Sequence, residues 1–156
     1  MATVSTIHQW NVVDSAVTEI TVPSDCLNDT SLTVLDLTRF KRLQRIVIGD
    51  ECFMVVKEVK MIGLSELESV EIRKNSFTQH KNGYGNDPDR HFYLKDCPKL
   101  KSLKMGRYSF SDYTVIEIEN VDTLEVIEMG ELNEWSYNFH GASLELKSIL
   151  IHRELL

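Results

Sequence analysis

At 156 residues, with 42% hydrophobic and 26% charged side chains, the chain is long enough for one packed domain and reads as a globular rather than a disordered protein. Its formal charge of −7 is at odds with the basic footprint that sequence-independent nucleic-acid binding requires, so no nucleic-acid partner is expected. Three cysteines, an odd number, fit a reducing compartment better than a disulfide framework.

The opening MATVSTIHQW lacks the charged and apolar regions of a signal peptide. No apolar run reaches the roughly 18 residues of a spanning helix, so no membrane span is expected. Cytoplasmic localisation follows from these features, or a secreted or surface-exposed one if a leader has been removed. Within residues 1–16, Ile7, Trp10, Val12 and Val13 supply enough apolar surface to cap whatever follows, with Trp10 packing over the first repeat.

From residue 17 the chain repeats. VTEITVPSDCL (17–27), LQRIVIGDECF (43–53), LESVEIRKNSF (67–77) and LKSLKMGRYSF (100–110) place apolar residues at positions 1, 4, 6 and 11, with Ser or Cys at position 10. LEVIEMG (124–130) begins a fifth copy and LKSILI (146–151) a sixth. A second element, LDLTRFKRL (35–43), VKMIGLSEL (59–67), FYLKDCPKL (92–100) and IEIENVDTL (116–124), keeps apolar residues at positions 1, 3, 6 and 9. The period is about two dozen residues, as in solenoids. Ile46 to Val70 is 24 residues, Leu103 to Ile127 is again 24, and Val70 to Leu103 is 33, which marks a nine-residue insertion.

Within each unit the alternation is two, rich in β-branched residues, which predicts strands. Stacked strands would bring Ile20, Ile46, Val70, Leu103, Ile127 and Ile149 into one internal column, and Leu27, Phe53, Phe77 and Phe110 into another. The expected fold is mainly β: a short, right-handed, leucine-rich-repeat-like solenoid of about five coils with parallel strands. It comprises a cap at 1–16, the solenoid at 17–151 with its insertion at 79–90, and a tail or truncated edge at 152–156.

Leu67, Val70, Ile72, Asn75 and Phe77 match the L-x-x-L-x-L-x-x-N-x-L signature, and residues 17–151 resemble leucine-rich repeats. The Ser-Phe ending and strand-like second element look most like the irregular BspA-like type. Asn75 stands alone in the asparagine column; Asp25, Glu51, Tyr108 and Leu132 hold the equivalent places, so Ser or Cys at the next position would have to bond neighbouring turns. The resemblance implies a protein that binds other macromolecules across an exposed sheet, and such proteins are rarely enzymes themselves.

Candidate partner-binding residues follow from that geometry. The outward column between the apolar pair reads Thr21, Val47, Glu71, Lys104, Glu128 and Leu150; Arg45 and Arg73 lie in the flanking columns and Arg107 ends a basic run. A solvated sheet whose Glu71–Lys104–Glu128 ladder satisfies itself is the bland alternative. The insertion QHKNGYGNDPDR (79–90) has loop composition, with Tyr84 as a possible anchor, or else is a tolerated mobile excursion. In NEWSYNF (133–139) the alternation of Trp135, Tyr137 and Phe139 would put all three on one face of a strand; one of them fills the Phe column, or they form an exposed patch with Trp135 at the partner. Eight acids and no base between Asp112 and Glu134 would attract a basic partner, or form a solvated flank.

Catalytic and metal chemistry finds little support. Cys26 and Cys52 occupy equivalent positions and would neighbour each other as reduced turn-fillers, or as a disulfide in an oxidising compartment; Cys97 sits in a core column. His80, Asp87, Asp89 and His91 have no recognised metal-ligand spacing, and phosphate-loop, nucleophile-elbow and zinc patterns are missing. No enzymatic activity, cofactor or metal is expected. The leading expectation is a non-catalytic module binding a protein or peptide. Self-assembly, including pairing through the C-terminal edge, and carbohydrate binding are the alternatives.

Overall fold

The computed structural model describes residues 1–130 and 135–147. Along the chain run β1 (Ala2–Thr3), α1 (Ile7–Val12), β2 (Glu19–Val22), β3 (Val34–Asp36), β4 (Arg45–Ile48), β5 (Glu58–Ile62), β6 (Ser69–Ile72), β7 (Asp87–Lys95), β8 (Ser102–Met105), β9 (Tyr113–Glu119), β10 (Val126–Met129) and β11 (Ser143–Lys147). Strands alternate between two parallel sheets, ordered β1-β2-β4-β6-β8-β10 and β11-β9-β7-β5-β3. The result is a β-solenoid of about five turns, mainly β, as the repeat requires.

Register is set by side-chain alternation, because a one-residue slip would turn each apolar pair out to solvent. Ile20 pairs with Ile46, Ile46 with Val70, Val70 with Leu103 and Leu103 with Ile127. In the second sheet Asp36, Lys60, Tyr93, Glu117 and Glu145 form the outward column. Between the sheets, the Phe column is a ring stack: Phe53–Phe77 at 5.1 Å, Phe77–Phe110 at 4.6 Å and Phe110–Phe139 at 4.9 Å between centroids. Of Trp135, Tyr137 and Phe139, it is therefore Phe139 that fills the Phe column in the fifth copy. Trp10 closes the other end edge-on to Phe40 and Phe53. It is held on α1, whose start is fixed by a capping box between Thr6 and Gln9. The cap also adds a strand, since β1 extends the first sheet against β2.

What turns the chain is a pair of left-handed residues in each coil. Asp25 and Leu27, Glu51 and Phe53, Asn75 and Phe77, Tyr108 and Phe110, and Tyr137 and Phe139 all have positive φ. From the second coil onward the residue between them points inward and bonds the preceding coil. Cys52 Sγ donates to the Pro23 carbonyl, Ser76 Oγ to Gly49, Ser109 Oγ to Arg73, and the Asn138 amide to Gly106. The backbone N–H groups of Cys52 and Ser76 donate in return to Ser76 Oγ and Ser109 Oγ. This ladder does the work of the expected asparagine; Asn75 instead donates its side-chain amide to Asn82 Oδ1 and accepts the Asn82 backbone N–H at its own Oδ1.

Two expectations need correction. The insertion is not all loop: β7 starts at Asp87 and contains Arg90, which is fully buried. Its composition misled because Asp87 still pairs with Tyr113, and Pro88 falls in the register shift between Asp87 and His91, where no ladder partner is needed. Nor do residues 135–139 form a strand, since the left-handed Tyr137 and Phe139 send their rings to opposite sides. Leu132, Ile149, Leu150 and the tail at 152–156 lie outside the described residues.

Candidate functional site

The outer corner of the turn is where side chains of the last coils collect. The first left-handed position of the fourth and fifth coils holds Tyr108 and Tyr137, both half-buried, whereas Asn75 in the third is buried. Their rings stack at 5.5 Å, and Tyr137 stacks equally on Tyr84 from the insertion, also at 5.5 Å. Trp135 lies 6.3 Å from Tyr137, and the His140 ring is 4.3 Å from Tyr84. Trp135 is 76% exposed and Tyr84 56%. Five rings thus gather on one surface of a chain whose other large aromatics are mostly buried.

The insertion is held in place by a buried polar network below it. Arg90 Nε bonds Asp87 at 3.1 Å and lies 3.6 Å from Asp112, and its terminal nitrogens donate to the carbonyls of Met54 and Val56. Tyr113 donates its hydroxyl to the Val56 carbonyl at 2.6 Å, and burial raises its phenol well above the ordinary value. Asp112 Oδ2 accepts from the Gln79 N–H, and Thr78 shares a hydroxyl bond with Ser111. At Asp87, burial raises the carboxyl pKa, but hydrogen bonds from the Asp89 N–H and Arg90 outweigh it and hold the group below the usual range. These bonds fix the base of a loop that its composition made look mobile.

Beside the aromatic cluster lies an open cleft of about 310 Å³ on the first sheet. Its lining includes Glu71, Arg73, Lys74, Lys104, Arg107, Glu128 and Asp50, with Gly106 and Gly130 leaving space between them. Gly106 is required by close approach, because a Cβ there would lie 2.5 Å from the Lys74 nitrogen. Arg107 joins the two features: its guanidinium lies 4.7 Å over the Tyr108 ring and its Nε donates to the Trp135 carbonyl at 2.6 Å.

Of the nine candidate residues, the structure gathers seven: Glu71, Arg73, Lys104, Arg107 and Glu128 at the cleft, and Tyr84 and Trp135 in the cluster. Arg45 and Val47 lie on β4 and do not line the cleft. Tyr108, Tyr137, His140 and Lys74 are additional members. Tyr108 stood visibly in the asparagine column, whereas five extra residues in the fifth coil displaced Tyr137 from it and put Leu132 there instead.

Among the described residues, the acids from Asp112 to Glu128 do not make one patch. Asp112 is buried beside Arg90, Glu117 and Glu119 pair with Lys95 on the second sheet, and Glu128 pairs with Lys104 on the first. Cys26, Cys52 and Cys97 are all free thiols, and burial pushes the Cys52 thiol up to about 11. His91 bonds Tyr93 and the Pro88 carbonyl, while Asp87 serves Arg90. Among the described residues no three His, Cys, Asp or Glu side chains converge as metal ligands would, and no helix is long and apolar enough to cross a membrane. No protein-family model, curated protein sequence or solved structure matches the chain.

Proposed function

We propose that the protein is a non-catalytic interaction module of leucine-rich-repeat-like, irregular type, which binds a protein or peptide through the aromatic cluster and the adjoining cleft. The observation that carries this reading is the exposure of Trp135 and Tyr84 around Tyr137, next to Arg107. Tryptophan, tyrosine and arginine are the residues that concentrate binding energy at protein interfaces. They sit on coils bonded to one another through the sheet and the turn ladder, which lowers the ordering cost of association. Affinity capture with the full chain should retain a partner that is lost from Trp135→Ala and Tyr84→Ala, with circular dichroism unchanged. Equal capture by all three proteins would contradict the assignment.

A second reading, self-association, has its own support. Ile127, Met129, Leu144 and Leu146 on β10 and β11 are 44%, 43%, 64% and 66% exposed, although their counterparts in earlier coils are buried. Sedimentation across concentrations separates the two: assembly abolished by Leu144→Glu favours the second, and a concentration-independent monomer the first.

A further inference from the structure

Resting on the interaction reading, we propose that the occupant of the cleft is an extended acidic segment of a partner protein, carrying an aromatic residue next to its carboxylates. Four cations, Arg73, Lys74, Lys104 and Arg107, and three carboxylates, Asp50, Glu71 and Glu128, line this space. Two of the carboxylates and two of the cations are already paired with each other, and the third carboxylate is held by a backbone N–H. Glu71 lies 3.5 Å from Arg73, Glu128 lies 3.7 Å from Lys104, and Asp50 Oδ1 accepts the Lys74 backbone N–H at 3.0 Å. Both ion pairs are long and their side chains well exposed, so each holds its cation weakly and an incoming carboxylate shares Arg73 or Lys104 without a strong pair having to break first. No ion pair engages the Lys74 ammonium among the described residues.

The floor is equally suited to an extended chain. Gly106 and Gly130 present backbone where other residues would raise side chains, and the Tyr108 and Tyr137 rings continue the surface beyond Arg107. An acidic residue over Lys74 and Lys104 places its neighbours within reach of Arg107 and the rings. The overall charge of −7 does not forbid this, because screening at physiological salt confines attraction to about 8 Å and the nearest charges decide the outcome. The sequence alone suggested a basic partner; the distribution of the acids over both sheets, together with the cations here, points the other way.

The test is an array of 12-residue peptides varying in charge and aromatic content, probed with the full chain, with Lys74→Glu/Lys104→Glu, with Lys74→Glu alone, and with Lys60→Glu on the opposite sheet, which matches the single variant in net charge. Retained peptides should be acidic with an aromatic residue. Their binding should fall by roughly tenfold or more in the double variant and stay unchanged in the control. If Lys74→Glu/Lys104→Glu does not fold, Lys74→Glu alone should still weaken binding several-fold. Peptides that are basic or indifferent to charge, yet lost on Trp135→Ala, would overturn this proposal and leave the interaction module standing. No peptide retained above an unrelated protein would overturn both.

Discussion

The outer corner of the turn carries Asp25, Glu51 and Asn75 in the first three coils and Tyr108 and Tyr137 in the last two. Across all five, φ stays between 56° and 69°. The backbone is therefore indifferent to what stands there, and even a tyrosine is held left-handed, a conformation costing about 1 kcal/mol or more for a side chain other than glycine. Two positions later the situation is reversed: the residue is Leu or Phe in every coil, and its side chain is buried. One turn thus has an inner face that the repeat dictates and an outer face that it leaves open. The outer face turns aromatic only where the insertion and the extra residues of the fifth coil also depart from the repeat.

If inner and outer faces are so different, substitutions should separate them sharply. Phe77, between the rings of Phe53 and Phe110, should be the costliest loss; Phe77→Ala should lower unfolding free energy by about 3–5 kcal/mol in urea titrations. Arg90→Ala should cost a similar amount, about 3–5 kcal/mol, because it leaves Asp112 buried without its cation. That result would show that the insertion is anchored as firmly as the coils. Ser76→Ala should cost about 1–2 kcal/mol, since the Gly49 carbonyl and Cys52 N–H both lose a buried partner.

The smallest effect is one of pH. Asp87 titrates below its ordinary value of 3.8, as do Asp29 and Asp36. A depressed carboxyl stabilises the fold fully above the unfolded value and loses that contribution as pH falls through the folded one. Melting temperature should accordingly hold steady from pH 7 to about 5 and decline below 3.8, with a shallower decline in Asp87→Asn.

Much of this fold could be read from the sequence because four apolar columns and a Ser/Cys column all report one geometry. Strand register from Ile20 to Ile127, the Phe stack and the Trp10 cap needed no more than that. The site was legible in part. Outward positions on a strand follow from alternation, which found Glu71, Lys104 and Glu128. Tyr137 was hidden because register was lost after Gly130, and alternation from Trp135 to Phe139 mimicked a strand where the chain makes a left-handed turn. Arg90 was hidden because burial of a cation depends on Asp87, Asp112 and two carbonyls, which only the folded chain brings together. The ladder at position 10 was anticipated as chemistry, but its pattern of one donor and one acceptor per serine was not.

Equilibrium unfolding of Tyr108→Asn/Tyr137→Asn, which gives the last two coils the outer residue of the third, bears most directly on the division between the two faces. Stacking lost and backbone strain relieved should nearly cancel, leaving stability within about 1 kcal/mol of the parent chain. A drop of 3 kcal/mol or more, comparable to the roughly 3–5 kcal/mol expected for Phe77→Ala, would mean that the outer aromatics belong to the core and are not a surface held ready for a partner.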